Sequence, residues 1–275
     1  HAETNGMIDF FLKPLGGVNS DLTRDQLQVW KNTQGNEFRK KPPGIVVDEL
    51  NHGTLNLNDD YQLYANLTDL PKKFTVTSPY MLSKMVANEF YPDTAALVNA
   101  LGDLLGEQVA GIEADVIQVD EANVTGAPHD GAIAAEGINR ILRRVKTTSA
   151  VHLCFGNYGG QTIQQGEYDL LVEFLNALEA DHVVLEMARR PDAELTILER
   201  IDPAIEIGLG VIDIKDNGVE SAETVARRIE EAANVIGAER IAYVHPDCGF
   251  WMLPRSVADA KMAALREGRD LYTGA

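Results

Sequence analysis

Two stretches decide the fold of this chain: GIEADVIQVD at 111–120 and ALEADHVVLE at 177–186. Each sets Glu-Ala-Asp ahead of an apolar run and ends on a carboxylate five residues after that Asp. Apolar runs of this kind are strands of a parallel sheet covered on both faces. The repeat places Asp120 and Glu186 at equivalent heights, on the ends of two corresponding strands.

Outward from these two stretches the same unit recurs. Strands are predicted over Lys73–Ser78, Asp115–Asp120, Ser149–Phe155, His182–Glu186, Ile205–Asp213 and Arg240–His245. Between them, helical periodicity runs from Pro79 to Gly111 with a break at Pro92, then over Asp130–Val145, Glu167–Glu179 and Glu194–Ile201. A long helix follows with Ser221 near its start and acidic residues in its first turn, where they meet the positive end of the helix dipole, and Ser256–Arg266 closes the series. Strands alternating with helices in unbroken succession favour an α/β fold of the (β/α)8 barrel type over an open doubly wound sheet. A barrel needs eight strands and six are legible, so the first one or two are expected before residue 1 or hidden in the N-terminal stretch.

The whole chain, 1–275, is read as one barrel domain with an irregular part over 1–70 and regular β/α repeats over 71–275. In the irregular part Met7–Leu12 is apolar and helical, Gly16-Gly17 breaks it, and Pro42-Pro43-Gly44 leads into the β-branched Ile45-Val46-Val47. Asn51–Asp60 is polar and turn-rich, the composition of a functional loop or cover.

The charge balance restricts the partners. With 42 acidic against 24 basic side chains the net charge is -18, which repels nucleic-acid phosphates and anionic membranes. No run of eighteen apolar residues exists and HAETNGMIDFF lacks the basic and apolar regions of a signal peptide, so a cytoplasmic protein is expected. The two cysteines form no disulfide framework; in a reducing compartment they are ligands, catalysts or inert core thiols.

The chemistry gathers at three strand ends: His152 and Cys154 in VHLCFGN, Glu186 closing VVLE, and Cys248 in YVHPDCG. His152 and Cys154 are two residues apart on a strand, so both side chains point to the same side. Thiolate, imidazole and carboxylate are the side chains that bind Zn²⁺, and each alone is an ordinary core residue. Together, on the rim of one half of the barrel, they predict a zinc site. The chain lacks the short C-x₂-C knuckles that usually close a structural site, so the predicted zinc is catalytic. Zinc held by two thiolates, an imidazole and one exchangeable carboxylate suits the activation of a substrate thiol.

The segments VHLCFGN, ADHVVLEMARR, GLGVIDIKDNGVES and AERIAYVHPDCG resemble the catalytic barrel of cobalamin-independent methionine synthase and its shorter relatives, the single-barrel methionine synthases and the epoxyalkane:coenzyme M transferases, over about residues 70–270. The resemblance implies a zinc-dependent methyltransferase in which a zinc-bound homocysteine thiolate attacks the methyl of a donor and yields methionine. It implies that His152, Cys154, Glu186 and Cys248 are the zinc ligands and that Asp120 receives the amino group of homocysteine. Asp120 could otherwise cap the next helix, and Asn157 could either contact substrate beside the zinc or end the strand with a turn.

Three departures bear on the donor. Lys215 stands where the long methionine synthases carry a His thought to protonate the departing folate. It resembles the shorter relatives, and is expected either to orient a substrate carboxylate or polarise the methyl donor, or to be a plain loop lysine. The N-terminal half of the long enzymes is absent. His1-Ala2-Glu3 fits locally a substrate-holding His-Gly-Glu stretch, but the register set by Met7–Phe11 puts His1 where the Glu belongs, and no role is assigned there. These departures put folate as the donor in doubt, and leave a corrinoid or a methyl-carrier protein as candidate partner. The alternatives are alkylation of coenzyme M by an epoxide, whose thiol lacks the amino group for Asp120, and a non-enzymatic domain with structural zinc. The related uroporphyrinogen decarboxylases fit badly, since the N-terminal stretch has no arginine cluster for a polyacidic porphyrin.

Overall fold

Buried β-branched runs become strands where the sequence places them. The computed structural model describes residues 6–34, 41–157, 162–190, 192–251 and 253–275. The chain divides into two units, one of residues 1–124 with 130–149, the other of 125–129 with 150–275.

In the first unit α1 (Gly6–Leu12) precedes β1 (Gly16–Asn19), α2 (Arg24–Gln34), β2 (Ile45–Asn51) and α3 (Leu57–Ala65). The stretch before residue 70, expected to be irregular, thus carries regular elements that are short and have little apolar periodicity. Its strands do not join the parallel run: β1 pairs antiparallel with β2, and β2 pairs in parallel with the two-residue β4 (Ala87–Asn88). The regular part opens with β3 (Lys73–Thr77), which pairs in parallel with β5 (Val116–Glu121), setting Lys73 opposite Val116 and Thr77 opposite Asp120. Between them α4 (Pro79–Met85) starts on Ser78, whose side chain accepts the N–H of Tyr80, with Pro79 in the first turn where its missing N–H costs nothing. Asp93 likewise caps α5 (Thr94–Val109) by accepting the N–H of Ala96. α6 (Gly131–Leu142) packs closely against α5: a Cβ on Gly102 would come 2.7 Å from the carbonyl oxygen of Gly137, and one on Gly137 would come 2.3 Å from the side chain of Val98.

The second unit holds, from Ala150 onward, the parallel run β6 (Thr148–Leu153), β7 (His182–Leu185), β8 (Glu206–Ile212) and β9 (Ile241–Pro246), hydrogen-bonded in that order. His152 lies opposite Val184, and Leu185 opposite Leu209. Val183, Leu185, Ile207, Leu209 and Val211 are 1% exposed or less, as strands with both faces covered require.

Two helices differ from expectation. The helix expected over Glu167–Glu179 is a 3₁₀ turn at Tyr168–Leu171 followed by α7 (Val172–Asn176), and Asp192–Arg200 is 3₁₀ throughout. Asn176 ends α7 by donating to the carbonyl of Arg200 and accepting the N–H of Asp202, side-chain bonds no periodicity predicts. α8 (Ala222–Ile236) begins on Ser221 as expected. α9 (Arg255–Thr273) runs well past Arg266, because Gly268 is a packing residue and not a stop: a Cβ there would come 2.3 Å from the side chain of Val225.

Candidate metal centre

His152 is the penultimate residue of β6 and Cys154 follows its end, so the pleat sends both side chains to one side. The chain then turns sharply at Gly156, whose φ of +87° a side chain would resist, and the carbonyl of Phe155 accepts the N–H groups of Ile163 and Gln164. Cys248 follows the end of β9. The donor atoms of His152, Cys154 and Cys248 lie within 4.8 Å of one another. His152 and Cys154 are buried and Cys248 is half-buried. The hydrogen bond from Cys154 draws the Cys248 thiol well below its ordinary range, with His152 adding to the effect. The same bond, together with burial, pushes Cys154 up.

These residues fit a zinc ion. A tetrahedral zinc with bonds of roughly 2.0–2.3 Å holds its donors about 3.5–4 Å apart, and two sulfurs with an imidazole nitrogen are a donor set it prefers.

Glu186 sits beside this group but is otherwise engaged. Its Oε1 accepts from Lys215 Nζ at 2.6 Å, both side chains being 3% exposed, and its Oε2 accepts from the N–H of Phe155 at 3.3 Å. The backbone of Glu186 is fixed by Tyr168, fully buried, whose hydroxyl accepts the Glu186 N–H at 2.9 Å and lies 3.2 Å from its carbonyl oxygen. Lys215 lies in the loop after β8. There its N–H meets Asp213 Oδ1, the N–H of Asp213 meets Glu220 Oε1, and Lys261, fully buried on α9, bonds Glu220 Oε2.

Asp247, next to Cys248, is fully buried and its Oδ1 accepts the N–H groups of Met187 and Ala188. Burial, with the charge of Glu186 adding, pushes its carboxyl up to about 7. Asn157 donates to the carbonyl of Gly249 at 3.1 Å, and the Trp251 indole N–H donates to the carbonyl of Asn157, so the loops that follow Cys154 and Cys248 are tied together. In the first unit Gln118 donates to Asp120 Oδ1 at 2.7 Å and accepts from Lys73, which orients that carboxylate. His1-Ala2-Glu3 lies outside the described residues. Tyr168 and Asp247 are functional neighbours that sequence reasoning missed. The only signal for Asp247 was its place inside Pro-Asp-Cys-Gly, and Tyr168 had none.

The fold and these residues define an α/β protein whose parallel strands end at a largely buried, metal-competent donor set of two thiols and an imidazole. The chain belongs to the cobalamin-independent synthase family, matching that family's catalytic domain over residues 1–270. It is an enzyme of the methyltransferase class, as its motifs predict. It is 28% identical to the methionine synthase of Thermococcus kodakarensis over 96% of this chain and 74% of that one. To the methionine synthase of Pyrococcus abyssi it is 28% identical over 86% of this chain and 66% of that one. Its fold is similar to that of a B12-independent methionine synthase from Shewanella sp. W3-18-1, solved in complex with selenomethionine, with a TM-score of 0.76 at 19% identity over 98% of this chain and 79% of that one. Among the described residues no helix is long and apolar enough to cross a membrane.

Proposed function

We propose that this enzyme is a zinc-dependent methyltransferase that methylates homocysteine to methionine, on a (β/α)8 barrel scaffold. The observation that carries the reading is the convergence of His152, Cys154 and Cys248 within 4.8 Å in a member of this family. Those three residues would hold the zinc, with Glu186 as an exchangeable fourth ligand. A zinc ion there lowers the pKa of a substrate thiol, so that a nucleophilic thiolate is available at neutral pH.

The chain's own residues do the rest. Burial of His152 and Cys154 limits the water that competes with the thiol. Asp120, oriented by Gln118, is proposed to accept the ammonium of homocysteine, and Asn157 to hold the loop that borders the thiol site. In the transfer itself the sulfur forms the new bond to the methyl carbon as the donor leaves with the electron pair of the old one. Folate protonation by a His in the strand 8 loop is not available, since that position is Lys215. A corrinoid donor gains nothing from a family described as cobalamin-independent, so methylcobalamin is one arm of the test and not its premise.

The test begins with elemental analysis, expected near one zinc per chain. Zinc-loaded enzyme is then incubated with homocysteine and, separately, methyl-folate with one or several glutamates, methylcobalamin, and S-adenosylmethionine. Methionine by mass spectrometry from any donor supports the reading. Its absence from all of them, with zinc bound, sinks it.

A further inference from the structure

Glu186 has both carboxylate oxygens occupied by the chain itself, one by the Lys215 ammonium and one by the Phe155 N–H. The three mutually close donor atoms of the centre do not include it. The Lys215 pair is buried on both sides, and a buried carboxylate that loses its cation is strongly unfavourable and seeks another. Two cations therefore compete for this one carboxylate: the ammonium that holds it here and the metal beside it. The charge count says what the competition decides. A dication with two thiolates and an imidazole is neutral; adding both Glu186 and a substrate thiolate makes the group doubly negative in a dry site. With Lys215 neutralising Glu186, the substrate thiolate is the only anion added.

We infer that Lys215 is a positioning residue that competes with the metal for the Glu186 carboxylate and takes it up when the substrate thiol enters the fourth ligand position. The position is prepared by the rigid loop in which Lys215 sits, its N–H fastened to Asp213, which is fastened in turn to Glu220 and so to Lys261. In this arrangement the short bond of the Lys215 ammonium is to Glu186. The inference rests on the zinc reading above.

The test uses cobalt(II) in place of zinc, since its sulfur-to-metal charge-transfer absorption counts thiolates, together with chelator competition for metal affinity. In Lys215→Met, Glu186 is expected to commit to the metal: the protein should hold cobalt at least about 10-fold more tightly, and homocysteine should add its third-thiolate absorption with an apparent affinity at least about 10-fold weaker. Both effects should vanish when Glu186→Gln is added to Lys215→Met, which a general structural defect would not do. Lys215→Arg, keeping the charge, should bind the thiol as wild type does. If Lys215→Met does not fold, Lys215→Gln carries the same two readings. Thiol affinity unchanged or tighter in the neutral variants, or metal held more loosely, overturns the inference. A wild-type protein that takes up no cobalt overturns the zinc reading first, and this inference with it.

Discussion

The Nδ1 atom of His152 lies 3.0 Å from the carbonyl oxygen of Val184, its neighbour across the strand pair. A carbonyl only accepts, so Nδ1 carries the ring proton and Nε2 keeps the lone pair a metal needs. In the zinc-loaded protein, long-range ¹H–¹⁵N correlation should show the Nδ1–H tautomer at neutral pH. His152→Ala should weaken metal retention against a chelator by more than the roughly 10–100-fold that loss of a supporting partner costs. A ligated Nδ1, or an Ala variant that keeps its metal, would contradict this assignment.

The two cysteines should respond differently to alkylation. Cys248 is the more accessible and the more thiolate-like of the pair, while Cys154 is buried with its thiol pushed up. In metal-free protein iodoacetamide should modify Cys248 first, and zinc should protect both. Peptide mass spectrometry over a time course reads the order; preferential labelling of Cys154 would be the contrary result.

Tyr168→Phe removes the acceptor of the Glu186 N–H and leaves that group buried without a partner. Stability should fall by about 1–3 kcal/mol, seen as a shifted urea midpoint with an unchanged slope. A variant as stable as the parent would show that the hydroxyl does not hold this strand end.

Asp247 makes stability depend on pH with a defined sign. Its folded pKa of about 7 lies above the ordinary 3.8. Between about pH 4 and 7 the native state therefore keeps a proton that the unfolded chain has lost, and the residue's contribution to stability declines as pH rises through that window. Asp247→Asn keeps the Oδ1 acceptor for Met187 and Ala188 but does not titrate. In metal-free protein its stability relative to wild type should grow by on the order of 3 kcal/mol from pH 4 to pH 7. Parallel pH profiles for the two proteins would rule this out.

Lys261→Met leaves Glu220 without the ammonium that anchors the loop carrying Lys215. Unfolding free energy should drop by about 3–5 kcal/mol, and replacing Glu220 by Leu as well should recover part of it. If the single variant unfolds like wild type, the pair is not an anchor.

The parallel strands β3 and β5 to β9 were legible because each is an apolar run followed by a turn signal, and the carboxylates ending GIEADVIQVD and ALEADHVVLE mark the ends of two of them, while β4 fell inside a stretch read as helical. Before residue 70 the signals are weak, since β1 and β2 pair mainly with each other in a small antiparallel arrangement that buries little and needs no long apolar run. His152, Cys154 and Cys248 were legible as chemistry, because thiol and imidazole side chains at strand ends are few and each is reactive. Tyr168 and Asp247 were not, since their roles consist of bonds to backbone groups of Glu186, Met187 and Ala188, distant in sequence.

What the sequence determined by itself is the alternation of strands and helices, the identity of the donor atoms and the strand ends on which they stand, since period, residue type and local turns are properties of short stretches. What only the tertiary structure decided is which atoms meet. It brings two thiols and an imidazole together, and it turns Glu186 toward Lys215 and the Phe155 N–H. The reason is that a buried carboxylate takes whichever cation and N–H the packed chain sets beside it, and that choice is made between residues far apart in the sequence.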